Sequence, residues 1–219
     1  MQRLADIILS LIALFLLSPI FLVTVVVLRF TGEGEVFYKQ LRVGRSGNNF
    51  GILKFATMLK NSPSMGTGTI TVANDSRVLP LGRILRKTKV NELPQLINIF
   101  LGDMSIIGPR PLTSETFSAY SQGTQDLIKL VRPGLSGVGS IVFRNEESLL
   151  SETDNSSSFY SKKIAPYKGR LESWYISHQS IFLYFSLIII TLWVVIFPSS
   201  KIFWKVFPSI PKPPKYLSL

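Results

Sequence analysis

The 219-residue chain has no cysteine, so disulfides, zinc–thiolate sites and thiol catalysis are excluded. It has a single histidine, His178, which offers no metal cluster; lying just before an apolar segment, it reads as an interfacial side chain rather than a catalyst. Acid is scarce as well. Thirteen Asp and Glu face 24 Lys and Arg, a net charge of +11, which calls for polyanionic partners: nucleic acid, anionic lipid or nucleotide. Two stretches lack charge altogether, Ile7–Leu28 and Ser180–Phe197. With a mean hydropathy of +0.31, they favour a membrane surface, and nucleic acid is not expected as a partner: the aromatic residues concentrate in apolar segments and form no basic stacking platform. No internal repeat is present, and the length predicts one modest domain with appendages.

Ile7–Leu28 is long enough as a helix, roughly 33 Å at 1.5 Å per residue, to cross a bilayer. Ser18-Pro19 interrupts it near the middle. Proline removes a helix hydrogen bond, and a serine hydroxyl can satisfy the backbone group so freed. The segment is therefore either a simple span or a re-entrant hairpin. Arg3 before it and Arg29, Lys39, Arg42 and Arg45 after it would hold both ends in the cytoplasm, which the hairpin permits and the span does not. Ser180–Phe197 is at the short end for a transmembrane helix. It is expected to cross, to lie in the interface, or to pack on the first segment, followed by a proline-rich tail with interfacial aromatics.

Between these segments, residues 36–43 and 50–55 read as strands around the turn Gly44-Arg-Ser-Gly-Asn-Asn. Asn61–Asp75 reads as a mobile loop that could close over a substrate. Leu79–Lys87 and Leu112–Val131 read as helices, Leu135–Gly139 as a glycine-rich turn, and Glu146–Ser161 as exposed and partly flexible. The densest stretch is Arg86–Pro111. There Asn91 is the expected N-cap, Pro94 lies in the first turn, and Leu93, Leu96, Ile97, Phe100 and Leu101 form an apolar stripe ending at Gly102. Glu92 then sits at the positive end of a helix beside Arg86, Lys87 and Lys89, a setting that suits a metal-assisted phosphate site as well as an ordinary capped helix.

The order and spacing of several short motifs carry a resemblance. They are the Ser18-Pro19 break, Lys54-Phe-Ala-Thr-Met58, Arg86-Lys-Thr88, Glu92-Leu-Pro-Gln-Leu96, Gly102-Asp-Met-Ser-Ile-Ile-Gly-Pro-Arg-Pro111 and Arg132-Pro-Gly-Leu-Ser-Gly137. Together they resemble the monotopic polyprenol-phosphate phosphoglycosyl transferases, a bacterial sugar transferase family. The resemblance implies an α/β, mostly helical, small membrane-associated domain. Its parts would be a re-entrant membrane helix at 1–30, a cytoplasmic catalytic domain at 31–179 and a second apolar or interfacial segment with tail at 180–219.

The implied reaction moves a phospho-sugar from a UDP-sugar to a membrane polyprenol phosphate with release of UMP. It would occur at the cytoplasmic face of a bacterial inner membrane, at the start of O-antigen, capsule or exopolysaccharide assembly, with downstream glycosyltransferases as further partners. Mg²⁺ is the implied cofactor, and it would neutralise the diphosphate. Glu92 and Asn91 occupy the catalytic positions. Arg110 between Pro109 and Pro111, then Arg86 and Arg132, are expected on phosphate oxygens, and Glu92 with Asp103 on the metal. Two positions depart from the family pattern. The usual nucleophilic Asp is Asn91, which as a carboxamide is not a nucleophile of that kind, and a common Arg is Ala56. Three readings stay open: Glu92 is the nucleophile, or the polyprenol phosphate attacks directly, or the chain is an impaired scaffold that binds nucleotide sugar or a glycosyltransferase.

Overall fold

The computed structural model describes residues 1–65, 71, 74–151, 153 and 155–217. The N-terminal apolar segment folds as two helices, α1 (Gln2–Leu16) and α2 (Ser18–Arg29), bent by 62° at the break. At the bend the Ser18 hydroxyl donates to the Phe15 carbonyl at 2.8 Å, so the group exposed by Pro19 is satisfied locally. Among the described residues no single helix is long and apolar enough to cross a membrane, while this bent pair meets the length and composition requirement together. Phe15, Leu16, Leu22, Val23 and Phe30 are well exposed.

The chain then forms an antiparallel hairpin, β1 (Phe37–Val43) and β2 (Asn49–Phe55), in register from Phe37 opposite Phe55 to Val43 opposite Asn49. Phe21 of α2 packs against both Phe37 and Phe55, with ring centres 6.0 and 4.9 Å away, so the hairpin is anchored directly on the apolar pair. The expected loop at 61–75 is described only at its ends; residues 66–70, 72 and 73 lie outside the described residues. Arg77 ties those ends together, bonded to Asp75 at 2.6 Å and to the carbonyls of Ser62 and Met65.

Helix α3 (Pro80–Lys87) falls where the sequence predicts it. A one-turn 3-10 segment, Val90–Glu92, and α4 (Gln95–Leu101) follow. The expected N-cap is corrected here. Asn91 lies inside the 3-10 turn and Pro94 takes the cap position, because Lys89 adopts a left-handed backbone (φ 61°) and resets the chain direction before the helix begins. Gly102 closes α4 at φ 102° as expected. The predicted apolar stripe is shifted as well. Leu96 and Ile99 are buried, whereas Phe100 and Leu101 are 40% and 67% exposed. The inward position goes to Asn98, whose side chain accepts from Leu53 N–H and donates to the Gly51 carbonyl, stitching α4 to β2.

Strand β3 (Ser105–Ile107) pairs in parallel with β4 (Gly134–Ser136), Ser105 opposite Gly134 and Ile107 opposite Ser136. Between them, α5 (Ser114–Ser118) and α6 (Gln122–Lys129) replace the single helix expected over 112–131. Ser121 caps a fresh helix through its hydroxyl, and the buried Tyr120 sits at the break. The glycine-rich turn at 135–139 becomes the end of β4 and the start of α7 (Val138–Val142).

Helices α8 (Glu146–Ser151) and α9 (Ser156–Phe159), then a π-helical turn at Tyr160–Ile164, lead into α10 (Ala165–Ser177). The described part of 146–161 is largely exposed or half-buried, as expected, but it is mostly helical and buries Leu150 and Tyr160; residues 152 and 154 lie outside it. Helix α11 (Ile181–Ile196) carries the second apolar segment, and α12 (Ile202–Val206) lies in the tail. Leu183, Tyr184 and Leu187 of α11 join Ile107, Tyr167, Leu171 and Tyr175 in the main core, with Ala5 and Leu9 of α1 packed against it. Of the three expectations for this segment, packing on the first one is observed. His178 is exposed and stacks on Trp174 with ring centres 4.6 Å apart. The described residues are mostly helical, with two small two-stranded sheets among them.

Candidate active site at Glu92 and Arg110

The parallel β3–β4 pair builds the site. Beyond β3, Gly108 N–H donates to the Ser136 carbonyl at 2.9 Å and Gly134 N–H donates to the Pro109 carbonyl at 2.8 Å. These bonds fix the Gly108-Pro-Arg-Pro turn. Arg42 on β1 donates to the Pro111 carbonyl at 3.3 Å, so the hairpin grips the other end of the turn. Arg110 is thereby held with its Nη2 at 3.5 Å from Glu92 Oε1. The Glu92 side chain is 14% exposed and that of Arg110 is 37% exposed, which leaves the guanidinium accessible to a ligand.

Several cations converge on the one acid. Burial works to raise the Glu92 pKa, but Arg110, then Lys54 and Lys89, bring it below the usual carboxylate range, so the side chain is an anion at neutral pH. Its charge in turn raises the Arg110 pKa against the effect of burial. Lys54, on β2, is pushed down to about 7 by burial first and by Arg42 and Arg110 after it. Burial and then Arg110 push Arg42 down to about 10. Closely spaced cations with one acid among them form a site that an incoming polyanion would relieve.

On the far side Arg86 donates to Glu147 at 2.6 Å and approaches the Met58 sulfur at 3.8 Å. Buried Lys168 of α10 pairs with Glu146 at 2.6 Å, and Glu146 raises its pKa although burial alone would lower it. Glu172, one turn further along α10 and 2% exposed, is pushed up to about 7 by burial, with Lys168 and the Arg110 backbone N–H opposing. Its Oε2 has no partner. Asn91 is 5% exposed, and its Oδ1 is likewise buried without a partner.

Of the residues expected from sequence, Glu92, Asn91, Arg110, Pro111 and Arg86 belong to this neighbourhood. Two do not. Arg132 donates its Nε to the Gly102 carbonyl at 2.8 Å, at the opposite end of α4 from Glu92. Asp103 is exposed at that same end and accepts from Asn98 at 3.1 Å, so it makes no metal pair with Glu92. Seven helical residues, roughly 10 Å of rise, intervene. Sequence reasoning passed over Lys54 and Arg42 as site residues, although Lys54 stands in a motif it singled out. Nothing in the linear pattern marked Glu146, Glu147 or Glu172.

Among the described residues no group of three or more His, Cys, Asp or Glu converges as a metal cage. Glu92 is the acid available for a divalent ion, which fits only the mode in which substrate phosphates and water complete the coordination sphere, as Mg²⁺ commonly accepts.

The bacterial sugar transferase family profile matches residues 1–198. The chain is 35% identical over 161 residues to the exopolysaccharide production protein ExoY of Sinorhizobium fredii, covering 67% of this chain and 71% of that one. It is 32% identical over 192 residues to the uncharacterized sugar transferase EpsL of Bacillus subtilis, covering 88% and 85%. It is 37% identical over 145 residues to the UDP-glucose:undecaprenyl-phosphate glucose-1-phosphate transferase of Klebsiella pneumoniae, covering 64% of this chain and 30% of that longer protein. The chain belongs to the bacterial sugar transferase family and is an enzyme of that class.

Proposed function

We propose that this enzyme transfers a sugar phosphate from a UDP-sugar to a polyprenol phosphate, releasing UMP, at the cytoplasmic face of a bacterial inner membrane during surface-glycan assembly. The observation that carries the reading is the ionised Glu92 clamped by Arg110, with Lys54, Lys89 and Arg42 around it. Arg42 and Lys54 of this site lie on a hairpin that is itself anchored on the exposed apolar pair α1–α2. Such a layout lets a soluble diphosphate meet a lipid-borne phosphate. The name of the Klebsiella relative, a UDP-glucose:undecaprenyl-phosphate glucose-1-phosphate transferase, carries both substrate types.

In this reading the β-phosphorus of the UDP-sugar lies against Arg110, whose planar fork takes two phosphate oxygens, and Lys54 neutralises further charge. An oxygen of the polyprenol phosphate forms the new bond to the β-phosphorus. The bridging oxygen leaves with UMP, which keeps the bonding pair, and the product is a polyprenyl diphosphate sugar. The acceptor is already an anion, so no general base is required. That agrees with Glu92, whose lowered pKa makes it a weak base but a permanent anion. Asn91 removes the family's usual nucleophile, which favours this direct displacement over a covalent intermediate. Mg²⁺, held by Glu92 and the substrate phosphates, would supply charge neutralisation at the diphosphate and the departing UMP.

The test is UMP release from a panel of UDP-sugars by purified protein with Mg²⁺ and undecaprenyl phosphate. Release that requires the lipid supports the reading, and nucleotide-sugar binding without release overturns it in favour of a scaffold. Labelled UMP exchanging into UDP-sugar without any lipid acceptor would overturn direct displacement, because only a covalent enzyme intermediate permits that exchange.

A further inference from the structure

At the C-terminal end of α4, remote from Glu92, a second polar cavity of about 190 Å³ is lined by Gln2, Arg3, Asp6, Arg45, Ser105 and Arg132 together with Gln179. Its three guanidinium groups come from three separate segments: the start of α1, the β1–β2 turn and the run after α6. None of them forms an ion pair among the described residues. Asp6 is the only acid lining the cavity, and its Oδ1 already accepts from the Ser105 hydroxyl, the Ile106 N–H and the Tyr184 hydroxyl. One carboxylate against three guanidinium groups leaves the cavity with a net positive charge. The Arg132 pKa is lowered by burial and then by Arg3 and Arg45, with Asp6 opposing, a repulsion that a bound anion would remove.

We propose that Arg3, Arg45 and Arg132 form a site for the phosphate of an anionic phospholipid headgroup, separate from the catalytic site. Two features favour a lipid over a soluble anion. Both apolar helices begin at this cavity, α1 through Gln2, Arg3 and Asp6 and α11 through Gln179 just ahead of it, and Asp6 and Tyr184 join them by a 2.8 Å hydrogen bond. The lining also includes an exposed apolar side chain, Leu130 at 62%, and the neighbouring Leu4 of α1 is 63% exposed. A headgroup phosphate seated among the arginines would have its acyl chains leave beside the same two helices. The site would thus fix how deeply the enzyme sits at the bilayer surface.

A purely structural role accounts for part of the cluster. Arg3 donates to the carbonyls of Ile99 and Phe100, and Arg132 to that of Gly102, so both cap α4. Arg45 has no such bond, lies exposed in a turn, and is the residue that separates the two roles. The full chain would be reconstituted in nanodiscs containing phosphatidylglycerol and phosphatidylcholine, extracted into mild detergent, and its retained phospholipid weighed by mass spectrometry. The expected result is selective retention of phosphatidylglycerol, reduced about fivefold in Arg45→Ala, the worth of one basic side chain at an anionic surface, and further in Arg45→Glu. Sugar transfer in detergent should be unchanged in both variants. Equal retention by wild type and Arg45→Glu overturns the site. A thermal shift with inorganic phosphate alone forms the second arm: an Arg45-dependent shift without selective lipid retention overturns the lipid assignment.

Discussion

Glu92 and Arg110 are eighteen residues apart in the chain and meet at 3.5 Å, each shifting the other toward its charged form. Glu92→Gln keeps the shape and removes the charge. It should lower kcat about 10²- to 10³-fold, the usual cost of deleting a group that stabilises charge at the reacting centre. Arg110→Lys keeps a cation but loses the planar fork, and should raise the KM for UDP-sugar about tenfold or more. Steady-state kinetics on both variants checks this. A wild-type profile for Glu92→Gln would remove that carboxylate from the chemistry.

Lys54 gives the site a pH dependence with a definite sign. Its pKa near 7 means that the free enzyme loses this cation as pH rises through neutrality, while Glu92 stays anionic. Donor affinity should therefore weaken several-fold between about pH 6 and pH 8, since each unit of pKa corresponds to roughly 1.4 kcal/mol of differential interaction. In Lys54→Met this dependence should be absent at uniformly weaker affinity. Stability moves in the opposite direction. The folded pKa is below the unfolded one, so the unfolded chain binds more protons between the two values, and this group's contribution makes the fold more stable as pH rises from about 7 toward 10.5. Titrating donor binding by calorimetry across that range, for both proteins, provides the check.

The network behind Arg110 should matter for folding before it matters for chemistry. Lys168 is buried, with Glu146 at 2.6 Å and Glu172 one turn away on the same helix. Lys168→Met leaves two acids facing a nearly dry interior. Breaking a buried pair from one side costs about 3–5 kcal/mol, which for a chain of this size lowers Tm by roughly 6–20 °C. Adding Glu146→Gln to Lys168→Met should restore part of the loss, and a differential scanning measurement that finds no restoration would mean that the ion pair contributes nothing.

Local signals reached only part of this arrangement. Helix α3, the Gly102 closure of α4, the Ser-Pro break and the two hairpin strands were readable because periodicity, caps and breakers act over a few residues. The β3–β4 pair was not, since three-residue strands carry no periodic signature and their parallel register depends on contacts far along the chain. The same reason explains the site. Glu92 and Arg110 stood out as motif residues, but Asp103, in the same motif as Arg110, and Arg132, in a motif of its own, fold to the other end of α4. Lys168 and Glu172 lie on a helix with no motif and are brought in by packing alone.

That hidden sheet gives a steric prediction. A Cβ on Gly134 would lie 2.1 Å from the Gly108 nitrogen and 2.4 Å from the Ser136 carbonyl oxygen, so backbone has to move. Gly134→Ala should cost about 1–3 kcal/mol or more through overpacking and should displace the turn that carries Arg110, lowering activity beyond the stability loss. Gly123 on α6 has nothing within 4 Å. Gly123→Ala should therefore be neutral or stabilising by up to about 1 kcal/mol, with full activity. Equal behaviour of the two variants in Tm and turnover would contradict the role given to the β3–β4 pair.

Asn91→Asp asks whether the chain can recover the step that its sequence departs from. The Asn91 side chain is 5% exposed, with its Oδ1 unpartnered and Glu92 next to it in the same 3-10 turn. A carboxylate there would be partly desolvated beside a like charge, both of which raise its pKa, while the basic setting around Glu92 acts against them. The expected outcome is a protein slightly less stable at neutral pH than wild type. It should gain two properties together: labelled UMP exchanging into UDP-sugar without acceptor lipid, and a phospho-sugar adduct on residue 91 detectable by mass spectrometry. Exchange already present in wild type would instead assign the covalent step to Glu92. If turnover rises in Asn91→Asp with neither exchange nor adduct, the added carboxylate assists by charge alone and direct displacement is the route in both proteins.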